Sequence, residues 1–105
     1  LIEYAAFIGA YLLDQLKGLQ KRYRLLGDVR GKGLMIGIEL VKDRFTKEKA
    51  IEERNEVIER CFRKGLLILG CGENVLRLIP PLIITQEACD IALTILEEVL
   101  RETDK

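Results

Sequence analysis

The chain has 105 residues, a length that suits one small domain and not two. Lys plus Arg and Asp plus Glu each number 17, so the net charge is zero and gives no long-range attraction for nucleic acid or an anionic membrane. Residues are 49% hydrophobic and 32% charged, and no apolar run approaches the ~20 residues of a membrane-spanning helix. We therefore predict one folded, soluble domain, residues 1–105, with neither nucleic acid nor membrane as a partner.

Residues 2–24 predict a long amphipathic first helix, ended by Gly27. Basic residues crowd the end of this helix. Cations near the negative end of a helix dipole are a better interpretation of that cluster than a nucleic-acid patch. The apolar positions follow the i, i+3, i+4, i+7 spacing: Ile2, Ala5, Ala6, Gly9, Leu12, Leu13, Leu16, Leu19 and Tyr23.

The next segment predicts a strand over residues 35–41, with residues 29–30 in an adjacent strand and a glycine-rich bend between them. Gly37, inside the apolar run, indicates a bulge or a close backbone approach. Gly31-Lys32-Gly33 does not fit a phosphate-binding loop, because the spacing from Gly27 is one residue short and Gly33 stands where Ser or Thr is required.

A second helix is predicted to begin at Thr46 as its N-cap and to run to about Lys64, with Gly65 ending it. Glu56 and Arg60 are four residues apart and are expected to pair. The charged residues of this helix are interpreted as a solvated face: Glu52, Glu53, Arg54, Glu56, Glu59, Arg60 and Arg63.

Two short strands are predicted next, at residues 66–69 and 75–79, with a turn at residues 70–72 between them. Pro80-Pro81 ends the second strand because proline cannot donate to a sheet ladder. Residues 82–84 then lead to Thr85, the predicted N-cap of a closing helix that runs to about Glu102.

The predicted order is α-β-β-α-β-β-α, without the repeated βαβ spacing of a parallel sheet. This pattern indicates an α+β fold, sandwich-like, with a small, mostly antiparallel sheet and helices on one face. The leading helix of residues 1–24 is expected to lie at the domain's edge or to continue from a preceding domain. The first residue is Leu1 rather than Met, so we expect the chain to be a piece of a longer protein.

The chain has three cysteines, Cys61, Cys71 and Cys89, and no histidine. A zinc site would lack its usual ligands, and a Cys–His nucleophile within this chain is excluded. The favoured interpretation is reduced cysteines that fill space in a cytoplasmic protein. A reactive thiol stays open for Cys71, which falls in a predicted turn.

Arg77 is the one charge within the β-prone run 75–79. A buried arginine is costly without a partner anion, and its planar fork of donors fits a carboxylate in two parallel hydrogen bonds. Arg77 is therefore either a strand arginine that faces water or one that is aimed at a carboxylate. Composition and spacing lead no further than a soluble α+β domain with this one arginine of interest.

Two segments carry a resemblance to a known family. Residues 28–40, Asp-Val-Arg-Gly-Lys-Gly-Leu-Met-Ile-Gly-Ile-Glu-Leu, and residues 74–85, Asn-Val-Leu-Arg-Leu-Ile-Pro-Pro-Leu-Ile-Ile-Thr, resemble the C-terminal small domain of class III (ornithine/4-aminobutyrate type) aminotransferases of fold type I. These enzymes use pyridoxal 5'-phosphate. The resemblance extends from about residue 12 to residue 100. It implies that Arg77 grips the substrate carboxylate, and the family often has an aromatic residue where Leu78 stands.

The same resemblance implies where the chemistry lies. The Schiff-base lysine and the acidic partner of the pyridine nitrogen belong to the family's large domain, so no catalytic or cofactor-binding residue is assigned within this chain. The implied function is transfer of an amino group between an amino acid (4-aminobutyrate, ornithine or similar) and a 2-oxo acid, by a homodimer. The fragment alone is expected to be inactive. The alternatives are an amino-acid racemase or epimerase of the same scaffold, or a non-catalytic α+β binding or oligomerisation module.

Overall fold

A computed structural model describes residues 2–81 and 84–104 of the chain. Within these residues the predicted order α-β-β-α-β-β-α and the α+β class are confirmed. Residues 82 and 83, which belong to the predicted approach to the last helix, lie outside the described residues. The elements are α1 (Ile2–Arg22), β1 (Leu26–Lys32), β2 (Met35–Leu40), α2 (Ile51–Arg63), β3 (Leu69–Cys71), β4 (Val75–Leu78) and α3 (Gln86–Thr103).

The four described strands form one antiparallel sheet in the order β1-β2-β4-β3. Alternate residues of a strand point to opposite faces, so each strand has an inner and an outer set of side chains. Ile36, Ile38 and Leu76 point inward and are buried against the helices, whereas Met35 and Arg77 point outward and are exposed. The helices therefore cover one face of the sheet, as predicted.

The core is built where the apolar stripes of the three helices meet the inner face of the sheet. Tyr11 of α1 also donates a hydrogen bond to the Asp90 carboxylate of α3, which ties these two helices together. The helices contribute buried residues at intervals of one turn or so: Ile8, Leu12, Leu16 and Leu19 from α1, Val57 and Cys61 from α2, and Cys89, Leu96, Val99 and Leu100 from α3.

A close contact fixes α1 against the turn between β1 and β2. A Cβ added at Gly9 would lie 2.0 Å from the carbonyl oxygen of Gly33, so only a glycine allows the helix this near to the turn. Gly33 itself has a φ of 61°, in the left-handed region that glycine tolerates without a steric penalty. The predicted glycine-rich bend is thus a tight turn centred on Gly33, and the two residues before it belong to β1.

The prediction that Thr46 caps the second helix is wrong. The Asp43 carboxylate accepts hydrogen bonds from the backbone N–H of Phe45 at 2.7 Å and of Thr46 at 3.1 Å, which folds this segment into a turn. Aspartate competes in this way with helix formation because its short side chain reaches nearby backbone donors. Helix α2 starts only at Ile51, and its N-cap residue, Ala50, makes no side-chain capping bond.

The end of α2 was predicted correctly, but the strand after it was not. Gly65 ends the helix with a φ of 93°, and Leu66 donates its backbone N–H back to the Cys61 carbonyl at 2.8 Å. Leu66 is thereby used to close the helix, so β3 begins at Leu69 rather than at residue 66. Cys71 consequently ends β3 instead of lying in the predicted turn.

Gly37 forms neither the bulge nor the close backbone approach that were predicted for it as alternatives, since no atom lies nearer than 3.9 Å to a Cβ added there. The register shift lies in β1 between Leu26 and Asp28, whereas Gly37 pairs regularly with its neighbours on both sides. Gly27, predicted to end α1, is therefore the residue at the bulge, where an added Cβ would lie 2.7 Å from Val41 Cγ2. Helix α1 ends earlier, at Arg22.

Two local predictions are confirmed. Thr85 caps α3, because its hydroxyl oxygen accepts the backbone N–H of Ala88 at 3.1 Å. Arg60 Nε donates to the Glu56 carboxylate at 2.6 Å on the surface of α2. In the described ranges, none of the helices combines the length and the apolar character that crossing a membrane would take.

Candidate carboxylate-binding site

The outer face of the sheet places two arginines in one row, with a glycine between them. Gly37 in β2 pairs with Arg30 in β1 on one side and with Arg77 in β4 on the other. Residues paired directly across neighbouring strands project to the same face. Since Gly37 has no side chain, the row forms a trough with a backbone floor and a cation on each side.

This trough is part of a groove of about 400 Å³, which we call the outer groove. Its charged side chains are all cations, Arg30, Lys32 and Arg77, and its lining contains no carboxylate. A concave surface lined by one sign of charge attracts the opposite charge. The outer groove therefore suits an anion. Its lining residues are Arg30, Gly31, Lys32, Met35, Ile36, Gly37, Cys71, Val75 and Arg77.

Arg77, the predicted substrate-binding residue, stands exposed in this groove. Its one hydrogen bond to another described residue runs from Nη2 to the Cys71 sulfur at 3.2 Å, and no described carboxylate forms an ion pair with it. A thiol is a weak acceptor, so most of the guanidinium's donor capacity stays free. Arg30 differs, because its Nη1 donates to the Asp28 carboxylate at 2.9 Å. Within the described chain, Arg77 thus faces water on an open groove and is not tied to an internal acid.

The hairpin that carries Arg77 is held from the inner side of the sheet. The buried amide of Asn74 donates to the Leu40 carbonyl at 2.8 Å, and the backbone N–H of Leu40 donates to the Asn74 carbonyl at 2.8 Å. These two bonds fix the start of β4 against the end of β2. The sequence analysis did not predict this side-chain anchor, which only the structure shows.

Arg54 is a residue that the sequence interpretation missed. It was assigned to the solvated face of α2, but it is 9% exposed and donates hydrogen bonds to backbone carbonyls of the β3–β4 turn, including Val75 O at 2.9 Å. Its position contained the signal, because Ala50, Arg54, Val57 and Cys61 repeat at intervals of four, three and four residues along one helix face. Arg54 thus belongs to the apolar stripe of the helix and was grouped with its charges by residue type alone.

The buried cysteines behave as space-filling residues. Burial raises the pKa of the Cys61 thiol to about 11 and also raises the pKa of the Cys89 thiol, so both remain protonated near neutral pH. All three cysteines are free thiols. Cys71 differs in being half-buried at the edge of the outer groove, beside Arg77.

The outer groove does not have the groups that hold pyridoxal phosphate (PLP). The family resemblance implies a lysine Schiff base together with an acidic residue that pairs with the pyridine nitrogen. The groove presents Lys32 without any carboxylate, so it lacks that combination. Among residues 2–81 and 84–104 there is also no cluster of His, Cys, Asp and Glu that could hold a metal ion.

Comparison with known proteins decides the family. The sequence profile of the family described as aminotransferase class-III matches residues 1–100. This chain belongs to the class III aminotransferase family. The family that the two sequence segments indicated is confirmed.

The curated relatives differ in the reactions that their names state. A leucine/methionine racemase from Thermococcus litoralis is 43% identical over 105 residues, which cover 100% of this chain and 24% of that protein. An acetylornithine aminotransferase from Caldanaerobacter subterraneus subsp. tengcongensis is 42% identical over 94 residues, covering 90% of this chain and 22% of that protein. This chain therefore spans about a quarter of the length of these relatives.

Solved structures confirm the fold. An aminotransferase from Bacillus anthracis superimposes with a TM-score of 0.91 at 38% identity, covering 95% of this chain and 24% of that one. An amine transaminase from an uncultivated Pseudomonas species, solved in its PLP-bound form, superimposes with a TM-score of 0.87 at 36% identity, covering 95% of this chain and 23% of that one.

Proposed function

We propose that this chain is the C-terminal small domain of a PLP-dependent aminotransferase and that Arg77 holds the carboxylate of its substrate. The parent enzyme would transfer an amino group between an amino acid, such as 4-aminobutyrate or ornithine, and a 2-oxo acid. The observation that supports this role is the position of Arg77, on an open cationic groove without an acidic partner among the described residues. Family membership supports the reaction class.

The proposed role of Arg77 is to bind and orient. Its guanidinium would donate two parallel hydrogen bonds to the substrate carboxylate, which fixes the direction of the rest of the molecule. PLP, when bound, supplies the electron sink for reactions of this class. We propose that parts of the parent enzyme outside this chain hold the cofactor, that the enzyme acts in the cytoplasm, and that it is a homodimer.

Replacing Arg77 in the full-length enzyme tests this role. Arg77→Ala should lower kcat/KM for the amino acid about 100-fold or more, because a charged hydrogen-bonded pair is lost. Turnover of an amine that has no carboxylate should change little. The matched control is Arg63→Ala, which removes an exposed arginine paired with Glu59 on α2. Near-unchanged kcat/KM for the amino acid in Arg77→Ala would show that the assignment is wrong.

A racemase or epimerase is the second candidate. The observation in its favour is the 43% identity to a leucine/methionine racemase along the whole of this chain, joined by 37% identity to an alanine/serine racemase from Pyrococcus horikoshii. A racemase would invert a single amino acid without any 2-oxo acid, and an aminotransferase would require one. Following product chirality with and without added 2-oxo acid separates the two reactions.

We also propose that the isolated 105 residues are inactive, since the outer groove lacks the lysine–acid combination that the cofactor needs. Mixing the isolated chain with PLP should give neither transamination nor a cofactor absorbance band that borohydride fixes to the protein. Such a fixed band would overturn the proposal. If the gene encoded no large domain beside this segment, the alternative of an independent binding or oligomerisation module would replace the enzyme.

A further inference from the structure

We propose that Arg54 is a positioning residue for Arg77 and acts through the turn between β3 and β4. This role rests on the function proposed for Arg77 as the carboxylate-binding group. The two arginines belong to opposite faces of the sheet. Arg54 reaches the turn from α2 on the inner side, and Arg77 projects from β4 on the outer side.

Both terminal nitrogens of the Arg54 guanidinium donate hydrogen bonds to the turn or to the residues that flank it. Nη1 donates to Val75 O at 2.9 Å and, at a longer 3.5 Å, to Cys71 O, while Nη2 donates to Gly72 O at 3.2 Å. Nε donates to the Asn55 side chain at 2.9 Å. One rigid planar group thus connects the last residue of β3, the turn and the first residue of β4.

The partners of Arg54 indicate what it contributes. None of the described carboxylates forms a salt bridge with it, so this buried cation is satisfied by backbone and amide dipoles. Removing a cation from water is costly unless its donors find acceptors. The bonds of Arg54 to the carbonyls offset that cost and at the same time fix the geometry of the turn.

Gly70 makes room for this arrangement. A Cβ added at Gly70 would lie 2.6 Å from Arg54 Nη1 and 3.1 Å from Arg54 Cζ. The guanidinium thus lies directly against the backbone of β3, and even one methyl group there would displace it. The position of Arg54 can consequently be disturbed from the strand side without removing any of its donors.

The position of the turn between β3 and β4 affects Arg77 in two ways. Val75, whose carbonyl Arg54 holds, lies two residues before Arg77 on the same short strand. Cys71, at the other end of the turn, provides the sulfur that accepts the Arg77 Nη2 hydrogen bond at 3.2 Å. A shift of the turn therefore moves both the backbone that carries Arg77 and the atom that restrains its guanidinium.

The experiment compares substrates with and without a carboxylate in the full-length enzyme. Arg54→Met keeps the apolar stem and removes the donors, and it should lower kcat/KM for the amino acid on the order of 10-fold, mainly through KM, because small misplacements of a binding group are costly. Turnover of a carboxylate-free amine should stay within about twofold. Gly70→Ala should give the same pattern, Arg54→Lys a weaker one, and the control Arg63→Met none.

A double variant separates this proposal from the one it rests on. If Arg54 acts through Arg77, then Arg54→Met should cost nothing further in the Arg77→Ala background. Additive losses, or a wild-type KM in both Arg54→Met and Gly70→Ala, would overturn the positioning role while the role of Arg77 stands. An unchanged Arg77→Ala enzyme would overturn both.

Thiol reactivity gives a readout that needs no turnover. The rate of Cys71 alkylation by iodoacetamide, followed by peptide mass spectrometry, should rise several-fold in Arg54→Met because the turn is released. The buried Cys61 and Cys89 are internal controls whose rates should not change. An unchanged Cys71 rate, or an equal rise at all three cysteines that reports general loosening, would overturn the specific role of Arg54.

Discussion

The two faces of the sheet use the same strands for different purposes. On the inner face, Ile36, Ile38 and Leu76 are completely or almost completely buried under the helices. On the outer face, the intervening residues of those strands leave Gly37 and Arg77 on an open groove. The contrast teaches that the inner face is covered by the chain's own helices, whereas the outer face leaves Arg30, Lys32 and Arg77 lining an open groove.

The sharpest way to break this contrast is to truncate neighbouring residues of β4. Leu76→Ala should destabilise the sheet by about 2–5 kcal/mol, since it leaves a cavity in the core, while Arg77→Ala should stay within about 0.5 kcal/mol. Hydrogen exchange of β2 and β4 amides in the full-length protein measures both. Equal losses in the two variants would contradict the division of roles between the faces.

A smaller effect is expected where α1 meets the β1–β2 turn. Gly9→Ala should cost about 1–3 kcal/mol, because its Cβ would lie 2.0 Å from the Gly33 carbonyl oxygen and the helix must move away. The matched control is Gly18→Ala on the same helix, where the nearest atom is Arg22 Nη1 at 4.0 Å. That variant should gain about 0.5–1 kcal/mol from helix propensity. Thermal unfolding of both variants in the parent protein makes the comparison, and a stabilised Gly9→Ala would refute the close contact.

The smallest effect is expected at the exposed edge between α2 and α3, away from either face of the sheet. The Arg60 hydrogen bond, followed by that of Lys64, holds the pKa of the Glu102 carboxyl below its usual value. A lowered pKa stabilises the fold above the unfolded value of about 4.3 and loses that effect as pH falls through the folded value. Wild type should therefore unfold at a slightly higher temperature than Glu102→Gln at pH 7, and the gap should close below about pH 4. A difference in unfolding temperature that widens in acid would contradict a lowered pKa for Glu102 in the folded protein.

Much of the fold follows from periodicity and terminators that the sequence displays. The apolar spacing located all three helices, and Thr85 and Gly65 marked two of their ends correctly. The errors arose where a side chain changed the local backbone. The Asp43 carboxylate folded residues 43–46 into a turn by accepting the backbone N–H groups of Phe45 and Thr46, and Leu66 turned back to close α2.

The candidate site was only partly predictable, for a different reason. Arg77 was conspicuous as a lone charge in a β-prone run, and the family resemblance supplied the role that is proposed for it. Its contact with Cys71 depends on the register between β3 and β4. The sequence analysis placed β3 at residues 66–69 instead of Leu69–Cys71, so it could not predict that Cys71 lies beside Arg77. Arg54 was hidden because residue type suggested solvent, although its helical spacing placed it with Val57 and Cys61.

The bare backbone at Gly37 leaves one position of the outer face adjustable. The three atoms nearest to a Cβ added there belong to the side chains of Arg30 and Val75, at 3.9 to 4.0 Å. Alanine, serine or valine at this site would raise the floor between the two arginines by one, two or three heavy atoms, respectively. Position 37 is thus a place where a larger side chain would reduce the depth of the outer groove by filling open space.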